Sequence, residues 1–361
     1  MTFEELDLIR IKKPDPEIFN RAKKRWDLIA KPLDGLGEFE NLVCRIAAIR
    51  GEICPDLSGK ALLIMCADNG VVKEGVTQTG QEVTFEVAGL MGKKKSSVCV
   101  MTEDYPLEIL PFDVGINSGD SPEGVRDRKI KMGSRDFLEG PAMSEEDCLK
   151  GIETGINAVK ECREKGFGII ATGEMGIGNT TTATALTCAL LNENAEDLTG
   201  RGSGLTKEGL ERKIRVIERG LELHVPDRSD RDCLSKKETL RILSCLGGFD
   251  IAALCGVFMG GAVCGIPVVI DGLISAAAAL LSERLLPGSR EYMLASHLGR
   301  ERAMEAILKE LNLKAVIHAD LALGEGTGAV LLFPMLDMAF SLFRKGTAFG
   351  ETPIGQYERL K

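Results

Sequence analysis

The chain has 361 residues, 44% of them hydrophobic and 27% charged, which allows one large domain or two unequal ones with a sizeable core. Its 54 acidic and 45 basic residues give a net charge of −9, which argues against a nucleic-acid partner or an anionic membrane surface. Eleven cysteines without a CxxC pair and three histidines without metal-ligand spacing predict no disulfide framework, no metal and no metal cofactor. The acidic start, Met1 to Leu6, is no secretory signal, and cysteines in apolar surroundings (Cys66, Cys188, Cys255, Cys264) suit a reducing, cytoplasmic setting.

In chain order, Glu17 to Ala30 and Glu40 to Arg50 read as amphipathic helices, separated by the breaker Lys31-Pro32-Leu33-Asp34-Gly35-Leu36-Gly37. Ala61 to Ala67 is apolar throughout, as a central parallel strand covered on both faces requires, and it ends in Asp68-Asn69-Gly70. A helix from about Glu82 to Met91 leads to a second strand near Leu107 to Gly115. Residues 121–141 are polar and basic and read as an irregular excursion, and Met143 to Lys165 reads as a helix.

A third strand, Gly166 to Thr172, feeds Gly173-Glu174-Met175-Gly176-Ile177-Gly178-Asn179-Thr180-Thr181, and the Ala/Leu/Thr-rich helix Thr180 to Leu191 follows. Next come Thr199-Gly200-Arg201-Gly202-Ser203-Gly204-Leu205 and the helix Lys207 to His224. The weakly polar stretch Ile251 to Leu281 contains Pro267 and Asp271, so it reads as helix, buried strand and helix and not as a membrane span. The strand within it is Ile266 to Gly272, and the second helix is Leu273 to Leu286. A helix from Arg300 to Leu311, the segment Leu323-Gly324-Glu325-Gly326-Thr327-Gly328 and a helix from Ala329 to Arg344 complete the reading. Strand–helix alternation predicts an α/β fold with a doubly wound parallel sheet at 61–328. Segments 1–60 and 329–361 have no strand between them and are expected to form a small helical domain.

Three loops carry candidate chemistry. Gly176, Ile177, Gly178, Asn179 and Thr180 turn backbone N–H groups toward one point at a helix N-terminus, where an anion is favoured. The alternative is a tight turn whose glycines only supply positive φ. Gly202 and Ser203 form a second cradle or a plain turn, and Lys213 is either an anion ligand or a solvated helix residue. Glu174 and Glu325 sit between glycines at strand-end loops, where desolvation raises a carboxyl pKa toward the range of a general base; the alternative for each is a helix-capping carboxylate. None of these loops is a Walker A motif or has GxGxxG spacing.

Taken together, Lys31 to Gly37, Ala67-Asp68-Asn69-Gly70-Val71, Gln81-Glu82-Val83-Thr84, Asp113-Val114-Gly115, Gly173 to Thr181, Gly200-Arg201-Gly202, Lys213, Gly247-Gly248-Phe249-Asp250, Pro267 to Gly272, Ser296-His297 and Leu323 to Gly328 resemble the nicotinate-nucleotide–dimethylbenzimidazole phosphoribosyltransferase family over nearly the whole chain. The resemblance implies transfer of 5-phosphoribosyl from nicotinate mononucleotide to an aromatic lower-ligand base in cobamide assembly. It implies a Rossmann-like large domain and a homodimer whose small helical domains help close the partner's site. Glu325 matches the family's catalytic base and Glu174 a second active-site carboxylate. Gly176 to Thr180, Gly202, Ser203 and Lys213 match the phosphate grip, and Thr79, Val87, Met175 and Leu323 match the base pocket. Asn69 stands where many members have His, Thr77-Gln78-Thr79-Gly80 replaces a Pro-containing segment, and Val87 replaces a Gln found in some. These departures bear on whether the base is a benzimidazole, a purine or a phenol; some phenol-activating relatives work as heterodimers with a paralogue, and the alternative reading is a phenol-activating subunit or a non-catalytic paralogue in such a heterodimer.

Overall fold

The run Lys60–Ala67 (β1) is central to the sheet because it has apolar side chains to offer on both faces, and all eight of its residues are buried. Leu62, Ile64 and Cys66 enter one core, while Ala61, Leu63, Met65 and Ala67 enter the other, as the two-residue strand period dictates. The structure, a computed structural model, describes residues 1–202, 204–226 and 234–359; Ser203 therefore lies outside the described residues.

β1 pairs with Glu108–Gly115 (β2), which pairs in turn with the two-residue Arg126–Asp127 (β3). On its other edge β1 pairs with Ile169–Met175 (β4), followed by Val268–Ile270 (β5) and Met293–Ala295 (β6). Every pairing is parallel and the order is β3-β2-β1-β4-β5-β6. The chain thus winds one way from β1 and then the other way from β4. The crevice between their carboxyl ends is where an open α/β sheet binds its ligand.

The α/β expectation holds, with three differences. The sheet has two strands that the residue pattern did not reveal, β3 and β6, and Lys236–Leu246 is a helix in a stretch left unread. β4 runs on through Gly173 and Glu174 to Met175, paired with β1 as far as Cys66↔Met175, so the glycine-rich turn is only Gly176–Gly178. Ile251 to Leu281 is helix, strand and helix, from Phe249–Cys264 through β5 to Leu273–Leu285.

Helices Pro16–Leu28 and Glu38–Arg50, from the start of the chain, and Thr327–Lys345, from its end, cover one face of the sheet. Trp26 meets Phe343 with ring centroids 4.8 Å apart, and Arg25 Nε donates to the Phe343 carbonyl at 2.9 Å. Thr327–Lys345 is apolar and long enough to cross a membrane, but Leu332, Phe333, Leu336, Phe340 and Phe343 are buried in this core.

Candidate active site

A cavity of about 260 Å³ opens at the carboxyl ends of β4, β5 and β6. It brings together Glu174, Met175, Gly176, Ile177, Gly178, Asn179 and Thr180 from the end of β4 and the turn after it. Thr79 comes from the loop after β1, Gly202 from the second glycine segment and Leu323 from the last. Lys213, Val87 and Glu325 do not line it. Lys213 stands behind it, with Nζ donating to Thr180 Oγ1 at 2.9 Å and to the Gly200 carbonyl at 3.4 Å. Val87 lies half-buried on the Glu82–Gly92 helix, packed against the core beside β1.

Gly176–Gly178 and the first turn of Asn179–Leu191 form the anion-ready end. That helix has no side-chain cap; the Ile177 N–H donates to Thr84 Oγ1 at 3.1 Å and the Asn179 N–H to the Gly176 carbonyl at 3.2 Å, which leaves the Gly178 and Thr180 N–H groups without an acceptor among the described residues. The turn is pressed onto the sheet: a Cβ on Gly176 would lie 2.2 Å from the Ala67 carbonyl oxygen and 2.8 Å from Asp250 Oδ2. Only glycine lets the backbone come this close to β1.

Glu174 lies at the edge of this end, with Asn179 Nδ2 donating to its carboxylate. Burial raises its pKa to about 8, and the charges of Asp250, Asp271 and Glu325 add to the rise while the Asn179 hydrogen bond opposes it. Asp250 is itself raised to about 6 by burial, against hydrogen bonds from Ile251 N–H at 2.9 Å and from Asn179 at 3.2 Å. At neutral pH Glu174 is therefore mainly protonated and can donate a hydrogen bond.

The sign of this shift sets a stability test. A carboxyl whose folded pKa exceeds its unfolded value of 4.5 binds more protons when folded, so its contribution to stability falls as pH rises from about 4.5 through 8. Glu174→Gln, which cannot ionise, is expected to leave Tm unchanged near pH 4, below both pKa values. At pH 8.5 it should raise Tm by roughly 2–5 °C, as read by calorimetry.

Glu325 lies close enough to Glu174 for its charge to act on it, 9% exposed, between two glycines of which Gly324 lines the cavity. Its own φ is 57°, in the left-handed region, as are those of Gly324 at 87° and Gly326 at 82°. A non-glycine residue held there costs about 1–2 kcal/mol. One carboxylate oxygen, Oε2, accepts from Val98 N–H at 3.2 Å, at the start of the short Ser97–Met101 helix. Oε1 has no hydrogen bond among the described residues.

Several cavity residues lay outside the residue reading of the site. Asp271 and His297 face each other: burial lowers the His297 pKa and raises that of Asp271, whose Oδ1 also accepts from Ala329 N–H at 2.9 Å. Asp271 thereby caps the Thr327–Lys345 helix from another element. Arg201, Arg300 and Glu301 line the wall near Gly202. The Asp-Gly ending of β5 was a signal for Asp271; no local pattern marked Arg300 or Glu301.

The chain matches the phosphoribosyltransferase family model DBI_PRT over residues 11–354. It is 39% identical over 361 residues to the nicotinate-nucleotide–dimethylbenzimidazole phosphoribosyltransferase of Ruminiclostridium cellulolyticum, covering 100% of both chains. It is 39% identical over 348 residues to the protein of the same name from Clostridium acetobutylicum, covering 96% of each. Among solved structures it resembles CobT from Thermus thermophilus, with a TM-score of 0.87 at 34% identity, covering 95% of this chain and 100% of that one. A parallel sheet with a cavity at the carboxyl ends of its strands, an uncapped helix N-terminus on that cavity and a match from end to end converge on one conclusion: the chain belongs to the nicotinate-nucleotide–dimethylbenzimidazole phosphoribosyltransferase family.

Proposed function

We propose that the protein transfers 5-phosphoribosyl from nicotinate mononucleotide to 5,6-dimethylbenzimidazole or a related lower-ligand base, releasing nicotinate. The observation that carries this reading is the cavity itself, which sets an uncapped helix N-terminus beside the half-buried Glu174 carboxyl and the apolar side chains of Met175 and Leu323. The donor's phosphate docks at the turn from Gly176 to Thr180, on N–H groups such as those of Gly178 and Thr180 that have no acceptor among the described residues, with Gly202 opposite and Lys213 behind Thr180. The aromatic base lies toward Thr79, Met175 and Leu323.

The base's ring nitrogen then forms a bond to ribose C1 from the face opposite nicotinate. The bond from C1 to the nicotinate ring nitrogen breaks, and its electron pair neutralises the pyridinium, which is already a good leaving group. Glu325 takes the N–H proton of the incoming base. Protonated Glu174 holds the substrates by donating a hydrogen bond and adds no second charge beside Glu325.

The two chain ends act as a small helical domain that closes a second protomer's site in a cytoplasmic homodimer. Trp26 against Phe343 supports the joining of the ends, and exposed Val100, Met101 and Met338 on the touching helices Ser97–Met101 and Thr327–Lys345 support the dimer. Purified protein given nicotinate mononucleotide and 5,6-dimethylbenzimidazole is expected to yield nicotinate and α-ribazole 5′-phosphate, read by mass spectrometry. Turnover of none among that base, other benzimidazoles, adenine and phenols refutes the proposal.

A further inference from the structure

Glu301 occupies the N-cap position of the Arg302–Glu310 helix, yet its side chain makes no capping hydrogen bond. The carboxylate lies over Gly200 instead: a Cβ there would stand 1.5 Å from Oε2 and 2.5 Å from Cδ. Oε2 is buried and has no hydrogen-bond partner among the described residues. Gly200's carbonyl accepts from Lys213 Nζ, which also donates to Thr180 on the phosphate-facing helix.

Lys213 is 1% exposed, so its ammonium has lost nearly all of its water. Burial lowers its pKa to about 8, and Glu301 is the carboxylate that opposes the loss of charge. The other groups around it do not help. The Thr180 hydroxyl and the Gly200 carbonyl are neutral; Arg201, on the glycine segment, is a cation, and so is Arg212, which reaches the Gly75 carbonyl from Lys213's own helix. The Glu301 carboxylate favours the charged ammonium that a phosphate brought to Thr180 would meet, acting through space without a direct ion pair.

Resting on the phosphate reading of Gly176 to Thr180, we propose that Glu301 is a positioning residue for the phosphate grip. Its carboxylate packs over Gly200 and supplies a counter-charge that favours the ammonium form of Lys213, without touching the reacting atoms.

The test is calorimetric titration of the full chain with inorganic phosphate and with nicotinate mononucleotide, between about pH 6.5 and 9. Wild type is expected to lose phosphate affinity as pH rises through about 8. Glu301→Gln should bind phosphate roughly 10-fold more weakly at pH 7.5, with the decline beginning at lower pH. It should raise KM for the nucleotide by a similar factor and hold kcat within about twofold. Gly200→Ala forces the Glu301 carboxylate aside, so it should reproduce the loss alone but add little when combined with Glu301→Ala. An unchanged phosphate affinity and pH profile in Glu301→Gln overturns the proposal, as does a Gly200→Ala loss just as large in the Glu301→Ala background. If wild type binds neither phosphate nor the nucleotide, the phosphate reading itself falls. Unchanged Tm and circular dichroism in each variant show that the fold is intact.

Discussion

Replacing Glu325 with glutamine is expected to lower kcat by roughly 10²–10⁴-fold while leaving KM for nicotinate mononucleotide within a few-fold of wild type. Glutamine keeps the side-chain length and an oxygen that can still accept from Val98 N–H at the start of the Ser97–Met101 helix. It also meets the same backbone at φ 57°, so whatever strain the Gly324–Gly326 turn imposes is common to both residues. The substitution therefore removes proton acceptance and little else. Steady-state kinetics with a thermal melt alongside checks this. A variant with near wild-type kcat would remove Glu325 from the role of base, and the search would return to Glu174, its half-buried neighbour.

Gly176→Ala is expected to weaken nicotinate mononucleotide binding about 100-fold or more. The added Cβ would fall 2.2 Å from the Ala67 carbonyl oxygen. That carbonyl closes β1, the central strand, with β2 on one side and β4 on the other, so it cannot retreat. The turn must lift instead, and its N–H groups move away from a bound phosphate. Hydrogen bonds to a charged group are worth about 1.5–3 kcal/mol each, so losing two or more accounts for the factor. Overpacking against β1 also costs about 1–3 kcal/mol of stability, which should appear as a lower Tm. Retention of both affinity and Tm would mean that the turn does not carry the phosphate.

The chain's own residues determined most of the fold. The unbroken apolar run at Ala61 to Ala67 can be satisfied only by cover on both faces, and the structure provides two cores there. Helices such as Pro16–Leu28, Glu38–Arg50 and Lys207–His224 follow from apolar stripes that any three or four turns reveal. The strand–turn–helix around Gly176–Gly178, with its alternatives of anion site and plain turn, was equally visible from local pattern.

Only the tertiary structure decided the rest. β3 has two residues and β6 three, too few for any period, and each exists because a neighbouring strand offers hydrogen bonds. Glu174 proved to be strand rather than loop because β1 keeps pairing with β4 up to Met175. Asp271 and His297, opposite one another on different strand ends, and Glu301 over Gly200 are contacts between segments far apart in the chain. The protonation of Glu174 and the lowered pKa of Lys213 come from burial, which a carboxyl or an ammonium acquires only once other segments have closed around it. Local periodicity reports which face of an element avoids water; what stands opposite that face, and how much water remains there, is settled by the packing of the whole chain.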